Sequence, residues 1–111
     1  MPDRIDKINS LIKDEVGELI LTEAEFPPDT LVTVTAVVTS KDMHYAKVFV
    51  SVLPINHAGQ VLKILEKTRL RKILFKKLSI KFIPILQYHI DDTEAKAQDI
   101  EGLLDQLRKK V

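Results

Sequence analysis

Apolar residues recur at three- and four-residue steps through Ile5, Ile8, Ile12, Val16 and Leu19, the spacing of one buried stripe on a helix. Asp3 stands where a capping residue belongs. The helix is expected to fade near Leu21, because Phe26-Pro27-Pro28-Asp29 cannot continue it: each proline lacks an N–H and disfavours α geometry in the residue before it. The period then changes from helical to alternating. Leu31 to Ser40 is rich in β-branched residues, with Val32, Val34, Ala36 and Val38 on one predicted face and Thr33, Thr35, Val37 and Thr39 on the other. After the polar Ser40-Lys41-Asp42 connection, Tyr45 to Leu53 repeats the pattern, Ala46, Val48, Val50 and Val52 alternating with Lys47, Phe49 and Ser51. The two runs predict an antiparallel hairpin.

Pro54 closes the second strand, and Asn56 is the expected cap of a helical region from about His57 to Leu78. At about 100° per residue, Ala58, Val61, Leu62 and Leu65 share one face, whereas Leu70, Ile73, Leu74 and Leu78 centre on another, rotated by more than about 90°. One straight helix cannot bury both stripes against one sheet, so the phase predicts a kink within Glu66-Lys67-Thr68-Arg69. Lys81 to Ile90 reads as a third strand in which Pro84 requires an edge or a bulge. Asp92 or Thr93 then opens a last helix with the stripe Ile100, Leu103, Leu104, Leu107 and Val111, its Asp92 and Glu94 at the positive end of the dipole and Arg108, Lys109 and Lys110 at the negative end. The expected order is α-β-β-α-kink-α-β-α: an α+β domain with a three-stranded mixed sheet packed by helices, spanning residues 1–111.

Composition narrows the class. With 45% hydrophobic residues, 111 residues suffice for one shared core. The absence of cysteine excludes disulfides and thiolate metal sites and suits a reducing cytosol. No apolar run has the length of a signal peptide or membrane span, so the chain reads as soluble and cytoplasmic. The net charge of +1 conceals a segregation, since Lys63 to Lys81 alone carries +7. Asymmetry of this kind points to an anionic partner. The candidates for contact are Arg69, Arg71, Lys72, Lys76 and Lys77, with Lys63, Lys67 and Lys81 at the ends of the ridge. Beyond the kink, Arg69, Lys72 and Lys76 share one stripe opposite the apolar one.

Catalysis has no residues to carry it: serines and carboxylates are present, but nothing organises a nucleophile with a base or an acid/base pair. His44, His57 and His89 lack two-ligand spacing, so no metal is expected. Gly17, Gly59 and Gly102 form no phosphate-cradling cluster, and no cofactor is implied. Phe49 is expected to pack under a helix rather than meet a base, and Tyr88 is weighed the same way.

The order of elements resembles that of a type II KH domain, and particular residues narrow the likeness. Arg4-Ile5 with the stripe after it, Val32-Thr33-Val34-Thr35, and above all Ser40-Lys41-Asp42-Met43-His44-Tyr45-Ala46-Lys47-Val48-Phe49-Val50-Ser51-Val52-Leu53 resemble the ribosome-binding factor A family. That last block is similar to the family's S-x-D-x-x-x-A-K-V-Y-V-S signature. Ile83-Pro84-Ile85-Leu86 followed by Asp91, and the final Ile-x-x-Leu-Leu, extend the resemblance over Arg4 to Leu107.

The resemblance implies a KH-like, non-catalytic, cofactor-free, cytoplasmic protein. Such a protein binds the small ribosomal subunit and its ribosomal RNA during late maturation and assists processing of that RNA. No membrane or small-molecule substrate is implied, and a monomer is expected. The family's Ala-x-Gly kink has no glycine counterpart here, although Arg71 matches the arginine that follows it. RNA contact is therefore expected to rest on side chains reaching phosphates, with about five phosphates giving a slope of log affinity on log salt of about −3.5 to −4.5. The alternative is a non-catalytic protein-interaction module whose basic helix is merely solvated.

Overall fold

Helix α1 runs from Arg4 to Glu23 and turns Ile12, Val16, Leu19 and Ile20 into the core. In the computed structural model of the chain, residues 4–78 and 82–93 are described. The cap expected at Asp3, the start of the third strand at Lys81 and the helix expected after Thr93 lie outside them. Strand β1 spans Leu31–Thr39 and β2 Tyr45–Leu53. They pair antiparallel across a loop that Asp42 closes: its carboxylate accepts from Ser40 Oγ at 2.6 Å and from the His44 N–H at 3.0 Å, while the Ser40 N–H donates to Tyr45 O at 2.8 Å. Met43 takes a left-handed φ of 63° to complete the reversal. The Ser-x-Asp of the signature block thus has a mechanical reason, because each polar group bonds another within the turn.

The faces of β1 differ from the alternation expected. Val34 pairs with Val50 but Ala36 with Phe49, so Thr35 is an extra residue, a β-bulge. Past it the side-chain phase inverts. Val37 and Thr39 are buried at 7% and 5% exposure, whereas Val38, expected beside Val34, is 53% exposed. The bulged Thr35 hydroxyl bonds Phe49 O at 3.3 Å and Asp91 Oδ2 at 2.8 Å. Buried Thr39 is satisfied by Asn9 of α1, whose Oδ1 accepts from both its N–H and its hydroxyl.

Asn56 does not cap a helix. It lies inside a 3₁₀ turn, Ile55–His57, and α2 begins at Ala58 without a side-chain cap, the His57 ring lying instead 2.7 Å from Thr30 Oγ1. Helix α2 covers Ala58–Lys67 and α3 Leu70–Lys77, separated where the phase of the apolar stripes required. Strand β3, Ile85–Ile90, is shorter than expected and pairs parallel with β2, giving a mixed sheet in the order β1-β2-β3. The parallel pairing follows from the helical crossover between the two strands.

The helices bury their stripes against one face of the sheet. Val48, Val50 and Ala46 of β2 are 0% exposed and meet Ile12, Val16, Val61, Leu65 and Leu74, also at 0%. Each such Val or Leu contributes about 1.5–3 kcal/mol of burial as an upper estimate. The other face carries Val38, Tyr45, Lys47, Ile85, Gln87 and His89 at its exposed positions. Phe49 lies on this open face, not under a helix, half-buried against His89 with ring centroids 5.5 Å apart.

Candidate nucleic-acid interface

The break between α2 and α3 is built without glycine, and its hydrogen bonds show how. Ile64 O, in the last turn of α2, accepts from the Thr68 N–H at 2.9 Å and also from Thr68 Oγ1 at 2.8 Å. The Leu70 N–H then donates to Thr68 O at 2.7 Å around Arg69, whose φ of −75° and ψ of 64° define an inverse γ-turn. Thr68 itself is extended, with φ −79° and ψ 111°. Every φ in the break is negative, so a residue with a Cβ enters it without strain and the glycine expected from the family pattern is not needed.

This turn places Arg69 at its apex, above a groove of about 560 Å³ whose far wall is β3. Glu66, Thr68, Arg69 and Arg71 line the helical side; Ile85, Gln87, Tyr88 and His89 line the strand side. Among the described residues β3 pairs only with β2, so its outer edge has no strand partner, and five of its residues line the groove. Burial pushes the Tyr88 hydroxyl pKa above the usual phenol value, leaving it neutral.

The eight basic candidates separate into distinct settings. Arg69, Lys72 and Lys76 are exposed and, among the described residues, enter no ion pair. Lys67 is exposed at the C-terminal end of α2, where the helix dipole favours a cation. Arg71 is committed within the fold: its Nε donates to Ile83 O at 3.1 Å and Pro84 O at 3.2 Å, and its Nη2 to Ile83 O at 2.8 Å. Those bonds tie α3 to the segment entering β3 and fix the width of the groove. Lys77 pairs with Glu15 of α1 at 3.6 Å, facing a carboxylate oxygen that has no hydrogen-bond partner among the described residues. Lys63 borders a separate hollow with Glu25, Phe26 and Gln60, and Lys81 lies outside the described residues.

Sequence reasoning did not single out Gln87 and weighed His89 only as a metal ligand; both join the site through the parallel pairing of β3. Nor did it single out Phe75, exposed on α3 between Lys72 and Lys76. Periodicity gave the signal for Phe75, since it lies off the Leu70–Leu74 stripe. Among the described residues no group of three or more His, Cys, Asp or Glu side chains could hold a metal, and no helix is long and apolar enough to cross a membrane.

An α+β sheet of this order, with a broken helix pair facing a free strand edge, defines a KH-like domain. Two solved structures share it: ribosome-binding factor A from Thermus thermophilus, at TM-score 0.64 and 24% identity over 78% of this chain and 93% of that one, and a putative ribosome binding factor A from Thermotoga maritima, at TM-score 0.56 and 24% identity over 73% and 84%. Curated relatives named ribosome-binding factor A include proteins of Thermodesulfovibrio yellowstonii, 34% identical over 96% of this chain and 92% of its own length, and of Chlamydia felis, 32% identical over 96% and 93%. The family model for ribosome-binding factor A matches residues 4–104, and the chain belongs to that family.

Proposed function

We propose that this protein binds the small ribosomal subunit and its ribosomal RNA as a non-catalytic maturation factor, assisting late processing and assembly in the cytoplasm. The observation that carries the reading is the γ-turn at Arg69, which sets this exposed arginine at the rim of the groove, with Lys67, Lys72 and Lys76 exposed on the two helices it joins. The names of the relatives supply the ribosome as partner. Affinity comes from phosphate contacts by these four cations, while Arg71 acts as a positioning residue that holds α3 against β3. The open edge of β3 offers backbone donors and acceptors to unpaired bases entering the groove.

With four phosphates neutralised rather than five, log affinity falls with log salt at a slope of about −2.8 to −3.6. The test is sedimentation with small subunits, followed by RNA crosslinking. Co-migration lost on reversing Arg69, Lys72 and Lys76 to Glu supports the reading, as do crosslinks confined to one region of the small-subunit RNA. Scattered crosslinks and a slope near zero refute it. The open sheet face, with Leu31, Val38, Tyr45 and Ile85 exposed, favours a protein-interaction module as the second reading. That reading predicts unchanged co-migration of the charge-reversed variant and loss of a purified protein complex on substituting Tyr45 and Ile85.

A further inference from the structure

Phe75 is exposed in a helix whose other large apolar residues pack into or against the core. The residue is 57% exposed, whereas Leu70 and Leu74 are at 1% and 0%, and among the described residues it is the one exposed large hydrophobic of α2 and α3. A single exposed phenylalanine is ordinary on a protein surface. Its neighbours make this one different. Lys72 precedes it by three residues, a spacing that makes side chains neighbours on a helix, and Lys76 follows it directly. Neither lysine enters an ion pair among the described residues, and Leu70–Lys77 contains no acidic residue. Arg71, bonded to Ile83 O and Pro84 O, prevents α3 from rolling to hide the ring.

A ligand that satisfies this surface must bring anionic charge and a flat apolar face within about one helical turn of each other. A nucleotide unstacked from its neighbours has both, phosphate and base, whereas a duplex keeps its base faces inside the stack. A protein partner would need an apolar side chain flanked by carboxylates. Among the described residues Phe75 lines neither the groove under Arg69 nor the hollow beside Lys63, so neither receives an anchor beside it. A base needs only a plane. We propose that Phe75 is a stacking platform for an unpaired base, so that the RNA held along α3 is single-stranded. This rests on the function proposed above and names the class of RNA it takes.

The experiment uses the full chain with a 12-nucleotide oligoadenylate and a blunt RNA duplex of equal length as probes. Phe75→Leu keeps an apolar, helix-compatible side chain and removes the plane; circular dichroism checks its fold. Its affinity for the oligoadenylate is expected to fall about 5- to 150-fold, the range for losing one stacked base. Its affinity for the duplex and its salt slope should remain those of the parent. Phe75→Trp places a single indole in a chain that has no Trp, retains binding, and is expected to be quenched by the oligoadenylate but not by the duplex. Equal affinity of Phe75→Leu and parent for the single strand overturns the stacking role while leaving the proposed function standing, as does loss of a protein complex by Phe75→Leu with RNA affinity unchanged. Absence of salt-sensitive RNA binding by the parent overturns both.

Discussion

Replacing Arg71 with Met separates the scaffold of the groove from its charge. The guanidinium donates three hydrogen bonds to two backbone carbonyls, at 2.8, 3.1 and 3.2 Å, and the residues offering those carbonyls are buried, Ile83 at 2% and Pro84 below 2% exposure. Methionine fills much of the aliphatic volume but leaves both acceptors without their donor. An unsatisfied buried acceptor costs about 1–3 kcal/mol, and bonds from a charged donor sit toward the upper part of the range. Because Arg71 is itself exposed, water reaches part of the gap, so the expected loss is about 1.5–3 kcal/mol rather than the sum over two carbonyls. At a urea dependence of about 1–3 kcal/mol per molar, the unfolding midpoint should fall by about 1 M. Arg71→Lys should recover only part of this, since one ammonium cannot reproduce a fork that reaches two carbonyls. The same variants are then titrated with RNA at several salt concentrations. Lys72→Met should make the salt slope shallower by about 0.7–0.9, the share of one phosphate, while Arg71→Met should leave it close to the parent's. An unfolding midpoint for Arg71→Met equal to the parent's, or a slope change as large as that of Lys72→Met, would refute the assignment of Arg71 to the scaffold.

Thr68→Gly should destabilise the protein by about 0.5–1 kcal/mol in urea unfolding and leave RNA affinity unchanged, because the break uses only negative φ and loses the Thr68 hydroxyl bond to Ile64 O. Deleting Thr35 should preserve the fold, since the bulge residue is the extra one and Val37 and Thr39 keep their inward phase. Deleting Val38 turns Thr39 away from Asn9, so its urea midpoint should lie well below that of the Thr35 deletion. Asp42 is held below the usual carboxylate pKa first by its bond from Ser40, and Asp91 first by its bond from Thr93. A depressed folded pKa gives stability that is fully present above the unfolded value near about pH 4 and is lost as pH falls through the folded value. Stability in acid titrations should therefore decline below about pH 4, and Asp42→Asn with Asp91→Asn should decline less steeply there. An unchanged acid slope in the double variant would remove both carboxylates from the account.

Much of the architecture is legible along the chain because its signals are local. The change of phase between Leu65 and Leu70 is a property of one helical segment and one sheet, and it located the break without any help from Gly or Pro. The valines of β2 alternate without interruption and are buried as their pattern requires. Val38 shows where this reasoning stops, since a bulge at Thr35 is set by pairing with β2 and by the distant carboxylate of Asp91 rather than by the strand's own composition. Asn56 shows the same limit: its residue type favours capping, but the chain around Pro54 winds into a 3₁₀ turn and α2 starts two residues later.

The charge ridge divides along this line too. Residue order alone concentrates positive charge between Lys63 and Lys81 and turns Lys72 and Lys76 away from the core, because helical geometry assigns a direction to each residue before anything is packed. Which cations stay available depends on neighbours far along the chain. Glu15 takes up Lys77, and the carbonyls of Ile83 and Pro84 take up Arg71, through contacts that exist only once α1 and the segment entering β3 are folded against α3. The groove has the same origin, for one wall is a γ-turn and the other a strand that reaches it by crossing over and pairing parallel to β2. Periodicity dictates direction within one element, while distances between elements arise from packing, and a site made of two walls needs both.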